Sequence, residues 1–177
     1  MTTQRLPASD LAKAVDILEQ GGVVAFPTDT VYGVGSFDLE RLYDVKERLR
    51  EKRIAYLVAS PPADLPPAAM ALAAAYWPGA LTIVAGDDGY RMPDHPLALE
   101  LLRAVGPLPV TSANRSGAAA TGDPDEVWRQ LDGRIDALLD GGVCPGGTES
   151  TVVDLEGKVL REGAISAEAV RRTLASA

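Results

Sequence analysis

Apolar positions recur along the chain with two periods. Leu11, Ala14, Val15 and Leu18 fall at helical spacing behind Ser9, which is placed to cap them, and Gly21-Gly22 stops the run. Residues 23–26 form a short continuous apolar run, the signature of a buried strand. Leu39, Leu42 and Val45 predict a second helix ending near Lys46. "IAYLVAS" (54–60) reads as a strand, "PPADLPP" as a loop, and residues 68–76 as an alanine-rich helix ended by Pro78-Gly79. "LTIVA" (81–85) is a strand, residues 86–95 read as a loop, and residues 96–105 as a helix ending at Gly106. A short strand, "LPVT", leads into "SANRSG". Asp123 caps a helix that has Pro124 at its first position. "ALLDGG" and "STVVDL" are strand-like with a glycine-rich loop between them, Glu156-Gly157 turns the chain into "KVLRE", and Ser166 caps a last helix. Strands and helices alternate, and several strands are placed to pair as hairpins. The pattern predicts an α/β fold with a mixed sheet, and the length suits one domain over residues 1–177. It leaves the strand order open.

Composition narrows the class. Nearly half of the 177 residues are hydrophobic, enough for a sizeable core and too many for a disordered chain. No apolar run approaches the roughly 18 residues of a membrane span, and "MTTQRLPASD" lacks the apolar centre of a signal peptide, so no membrane association is expected. Cys144 has no second cysteine to pair with, which points to the cytoplasm. With His95 the only histidine, a protein-only zinc site is not expected. The formal charge of −8 argues against non-specific nucleic-acid binding, which runs on phosphate neutralisation. An acidic protein that binds an anion must concentrate its few cations, so their positions carry information.

Four stretches hold candidate chemistry. In "FPTDTVYGVG" (26–35) an apolar strand breaks into Thr28, Asp29 and Thr30 beside a glycine-rich turn, an arrangement that offers hydroxyls and bare backbone to a small ligand. In "VKERLREKR" (45–53), Lys46 and Arg48 point the same way only if the segment is extended; Lys52 or Arg53 can join them on one polyanion. The same charges, with Glu47 and Glu51, also suit a solvated helix end. "TSANRSG" (111–117) offers hydroxyls, an amide and free N–H groups to a phosphate or nucleotide, and equally suits a polar turn. "GGTESTVVD" (146–154) permits close backbone approach or is an ordinary glycine-rich loop, with Arg161 beyond it as an anion contact or a surface charge. Tyr76 and Trp77 are expected in the core, Thr82 either lines a site or packs within its strand, and Arg91 and His95 share a proline-bounded loop in which His95 reads as structural. Cys144 has no helix start or basic neighbour to activate it.

Taken in order, "FPTDTVYGVG", "KER" with Lys52, "WPGALT", "RMPDHP", "TSANRSG", "ESTVVD" and "LREG" resemble the YrdC-type family of threonylcarbamoyl-AMP synthases over residues 9–165. Each piece is weak alone; the combination is specific. The resemblance implies a twisted mixed sheet with helices around a concave basic cleft. It implies that L-threonine, bicarbonate and ATP, with Mg²⁺, yield threonylcarbamoyl-AMP and pyrophosphate. A separate tRNA threonylcarbamoyl transferase complex then modifies adenosine 37 of tRNA, so the synthase itself needs at most weak tRNA binding. By the resemblance, Lys46 and Arg48 are the catalytic cations. They contact ATP together with Lys52, Thr82, Ser112, Asn114 and Arg161. Thr30 and Ser150 contact threonine, and Thr28 and Arg91 stand in the cleft.

The chain departs from the family pattern where Leu49 and Arg53 replace prolines, which is expected to loosen that loop. Ala80 stands in "WPGALT" for a usual proline, and Gly86 where some members carry a basic residue. Two other readings are expected to reveal themselves differently. An RNA-binding or ribosome-associated paralogue needs a basic surface outside the cleft. A carbamoyltransferase of the hydrogenase-maturation kind needs a much longer, cysteine-rich chain.

Overall fold

Residues 23–26 alternate in the way a strand covered on both sides must. Val24 and Phe26 enter one hydrophobic cluster, while Val23 and Ala25 enter another. The computed structural model describes residues 2–47 and 53–176. Its strands are β1 (Gln4–Pro7), β2 (Val24–Phe26), β3 (Gly33–Gly35), β4 (Ala55–Leu57), β5 (Leu81–Ala85), β6 (Asp88–Arg91), β7 (Leu108–Ser112), β8 (Ala137–Asp140), β9 (Thr151–Val153) and β10 (Val159–Arg161). Its α-helices are α1 (Leu11–Glu19), α2 (Leu39–Lys46), α3 (Pro67–Tyr76), α4 (Pro96–Val105), α5 (Pro124–Leu131) and α6 (Ala167–Ala175). The strands join one mixed sheet in the order β1-β8-β2-β3-β7-β4-β6-β5-β9-β10.

Three clusters pack against this sheet. The first draws on α1, α4 and one face of β2 and β8, through residues such as Leu18, Leu101, Phe26 and Leu139. The second lies on the opposite face under α2 and α5, with Leu42, Val127 and Leu131. The third sits at the far end, where α3 and α6 cover Leu81, Ile83 and Val153. Because side chains alternate along β5, Thr82 and Val84 face away from that third cluster and line a cavity. Among the described residues, the cavity is lined by strands and by the loops beside them.

Helix ends follow local chemistry. Asp38 accepts from Arg41 N–H, Asp123 from Asp125 N–H and Ser166 from Ala169 N–H, caps that each contribute about 1 kcal/mol. Ser9 does not cap: it lies in a 3-10 turn, Ala8–Asp10, and α1 starts at Leu11 behind Asp10. α2 keeps Lys46 as its last helical residue, so Lys46 is not in an extended segment; Glu47 then takes a left-handed conformation with φ 49° that ends the helix.

Two stretches read as turn or loop are strands. Gly33–Gly35 pairs antiparallel with β2 and with β7 in mid-sheet. A Cβ on Gly33 would come within 2.7 Å of Val110 Cγ1, and one on Gly35 within 2.8 Å of Leu108 Cδ2. These glycines admit neighbouring side chains and do not form a turn. Asp88–Arg91 is the second arm of a tight hairpin with β5. Tyr76 and Trp77 are half-buried at the edge of the third cluster, not within it; the Tyr76 hydroxyl lies 2.9 Å from Thr173 Oγ1, and Trp77 Nε1 donates to Leu81 O.

Candidate active site

The turn after β2 is built from its own hydroxyls. Thr28 Oγ1 donates to Val31 O at 2.7 Å and accepts from Thr30 N–H at 3.1 Å. The Thr28 and Thr30 hydroxyls lie 3.0 Å apart, and both residues are buried. Arg91, arriving at the end of β6, donates to Thr30 Oγ1 at 3.0 Å and to Gly79 O at 2.9 Å, and forms a buried ion pair with Asp29. Burial pulls the Arg91 guanidinium below its ordinary value, and the Asp29 carboxylate opposes that pull. The loop between β8 and β9 closes on the same turn. Gly147 N–H donates to Thr30 O at 2.7 Å, and a Cβ on Gly146 would meet Asp29 O at 2.5 Å. Glycine is required there because two backbones touch.

The facing wall comes from β5, β9 and β10. β5 and β9 run parallel with Thr82 opposite Val152. The Thr82 and Ser150 hydroxyls lie 2.8 Å apart, and Arg161 donates from Nη2 to Ser150 Oγ at 3.0 Å and to Ser150 O at 2.9 Å. Its Nη1 donates to Glu149 Oε1 at 2.8 Å. Gly163 sits so close that a Cβ would fall 2.3 Å from Glu149 O and 2.5 Å from Ser150 C.

Between these walls lies a cavity of about 510 Å³, within the range of small-molecule sites. Thr28, Thr30, Thr82, Arg91, Ser112, Ser150 and Arg161 all line it, together with apolar Val84, Val152 and Leu160. Its lining also brings in Asp87 and Glu149, which the sequence reading did not single out, and Arg53, named there only as an optional cation. Arg53 donates to Asp87 Oδ1 at 2.7 Å and to Asp87 O at 2.6 Å. Each arginine in the described lining thus has an acidic partner: Arg53 with Asp87, Arg91 with Asp29, and Arg161 with Glu149. The expected basic cleft is, among the described residues, a cleft of paired charges. No local signal marks Asp87 or Glu149 as partners; they meet their arginines through sheet order.

Lys46 and Asn114 are not on the lining. Lys46 is buried under the loop after β7, and its Nζ donates to Ser112 O, Asn114 O and Asn114 Oδ1. Arg48 and Lys52 lie outside the described residues. Tyr32, in the "VYG" of the first motif, lines the cavity; its hydroxyl donates to Gly142 O, and burial pushes the phenol well above its ordinary range. Burial also raises the Cys144 thiol and lowers the His95 imidazole, which favours the neutral form of both. Among the described residues no group of three or more His, Cys, Asp or Glu comes together.

Residues 16–163 match the Sua5–YciO–YrdC family, which carries the description "Telomere recombination". The chain belongs to this family. A relative from Mycobacterium tuberculosis is 36% identical over 192 residues, covering 93% of this chain and 88% of that protein. The threonylcarbamoyl-AMP synthase of Bacillus subtilis is 35% identical over 204 residues, covering 97% of this chain and 59% of that protein. The solved structure of Sua5 from Pyrococcus abyssi complexed with L-threonine superposes with a TM-score of 0.87 at 28% identity, covering 98% of this chain and 61% of that one. This family member therefore spans about three fifths of the Bacillus and Pyrococcus relatives. Among the described residues no helix is long and apolar enough to cross a membrane.

Proposed function

We propose that this chain makes L-threonylcarbamoyl-AMP from L-threonine, bicarbonate and Mg·ATP, with release of pyrophosphate. In this reading the product serves the threonylcarbamoyl modification of tRNA adenosine 37, carried out in the cytoplasm by a separate transferase complex. One observation carries the reading. Thr30, Thr82, Ser112, Ser150 and Arg161, from five separate segments, converge on one cavity in a chain related to proteins named threonylcarbamoyl-AMP synthase. The threonine bound in the Pyrococcus relative supports an amino-acid substrate.

The chemistry suits such a lining. Threonine's amine bonds to the bicarbonate carbon, water leaves, and an N-carboxylate remains. A carboxylate oxygen then attacks the α-phosphorus of ATP; the new P–O bond forms as the bond to the β-phosphate oxygen breaks, and pyrophosphate departs. Two anions must approach, so the site needs fixed donors and cations more than it needs a covalent nucleophile. Thr30 and Ser150 are assigned to threonine. Thr82, Ser112 and Arg161 are assigned to the nucleotide, with Arg48 and Lys52 as further cations at the phosphates. Arg91, on the same lining, holds the Thr30 hydroxyl in place. The net charge of −8 accords with a protein that binds tRNA weakly at most.

The test is to supply isotopically labelled bicarbonate with threonine and Mg·ATP and to weigh the adenylate product. A labelled threonylcarbamoyl adenylate is expected. An adenylate of unmodified threonine, without label, would replace this reaction with simple amino-acid activation.

A further inference from the structure

Lys46 ends α2, yet its side chain turns inward, and only 4% of the residue is exposed. Its ammonium donates to Ser112 O at 2.6 Å, to Asn114 O at 2.6 Å and to Asn114 Oδ1 at 2.8 Å. These acceptors match the three N–H donors of an ammonium. A phosphate that takes a donor from any of them leaves a buried oxygen without it, which is costly.

The same turn is pinned from its other side. Asn114 Nδ2 donates to Arg115 O at 3.0 Å and to Ala118 O at 2.7 Å, and Ser116 N–H returns to Lys46 O at 3.2 Å. Lys46 and Asn114 therefore form a peg that fixes residues 112–118 against the end of α2. Ser112, at the near end of this turn, lines the cavity, whereas Lys46 and Asn114 do not.

We propose that Lys46 is a positioning residue: it serves the reaction by fixing the turn that presents Ser112, not by gripping the nucleotide phosphates. Asn114 is its partner in that role. The proposal rests on the synthase reading for the reaction it serves, while its geometry is independent of that reading.

The experiment is a double-mutant cycle on the full chain. Lys46→Met and Asn114→Ala are made singly and together, with folding checked by circular dichroism. Mg·ATP affinity is read by calorimetry and turnover by pyrophosphate release. Each single variant is expected to lose about 10²-fold in kcat, the scale of a misplaced contact, and to weaken Mg·ATP by the same factor as the other, no more than Ser112→Ala does. The double variant is expected to lose no more than either single one. If Lys46 grips phosphate directly, Lys46→Met weakens Mg·ATP binding by about tenfold or more beyond Asn114→Ala and Ser112→Ala and adds fully to Asn114→Ala, which overturns the proposal. If Lys46→Met fails to fold, Asn114→Ala decides: wild-type kcat there overturns the proposal. If the native protein binds Mg·ATP but makes no threonylcarbamoyl adenylate, the synthase reading fails, and the affinity of Lys46→Met still decides whether Lys46 touches phosphate.

Discussion

The Arg91 guanidinium is buried against the Asp29 carboxylate, and this ion pair ties β6 to the turn that follows β2. The two side chains are 7% and 13% exposed, so little solvent screens them. Through Arg91 Nη1 the pair also holds the Thr30 hydroxyl at the cavity wall. Removing one partner strands the other charge in the interior. Arg91→Met is expected to destabilise the fold by about 3–5 kcal/mol in chemical denaturation, far more than a surface substitution. A loss below about 1 kcal/mol would mean that the pair is not buried as described.

Gly163 has no room for a methyl group, since its Cβ would overlap the backbone of Glu149 and Ser150. Neither atom belongs to a flexible side-chain end, so the chain itself must shift. Gly163→Ala is expected to cost about 1–3 kcal/mol and to displace Ser150. Because Ser150 is assigned to threonine, the KM for threonine should rise more than that for ATP. Unchanged stability and an unchanged KM for threonine would show that residues 149–151 do not pack on Gly163.

Much of this architecture was legible before any coordinates. β5 and α4 fall where their apolar runs, prolines and glycines put them, and the Asp123 and Ser166 caps are local chemistry. β3 was not legible, because glycine disfavours strands. Its place comes from Val110 and Leu108 packing over bare backbone, contacts distant in sequence. β6 was hidden for a related reason: "DDGYR" reads as a polar turn until β4 and β5 pair with it. The motif order brought Thr30, Thr82, Ser112, Ser150 and Arg161 into view, and the cavity holds them all. The acidic partners Asp29, Asp87 and Glu149 follow only from sheet order, and the inward turn of Lys46 follows only from where residues 112–118 fold back.

Asp87 sets a carboxylate on the cavity wall where a triphosphate is proposed to lie, and Arg53 answers it. Both side chains are largely exposed, so the pair contributes little to stability. Its effect should appear in binding. Asp87→Asn is expected to tighten Mg·ATP by about threefold to tenfold at low salt, with the gain shrinking as salt rises. Unchanged or weaker binding at every salt concentration would take Asp87 away from the path of the phosphates.

His95 gives the fold a direction of acid sensitivity. Burial lowers the imidazole from its ordinary value of 6.5, and among the described residues its buried Nδ1 has no hydrogen-bond partner. The unfolded chain therefore binds a proton at His95 more readily than the folded one. Stability is full above pH 6.5 and falls as the pH drops below it. His95→Gln is expected to flatten the thermal-stability profile between about pH 6.5 and 5. A profile as steep as that of the native protein would assign the acid loss to the carboxylates.

The central claim is tested most directly by pyrophosphate release from Mg·ATP with threonine and bicarbonate omitted in turn. The account predicts release that needs both, and its collapse when either is left out. Release that proceeds without bicarbonate, or no release from a folded protein that binds Mg·ATP, would contradict it.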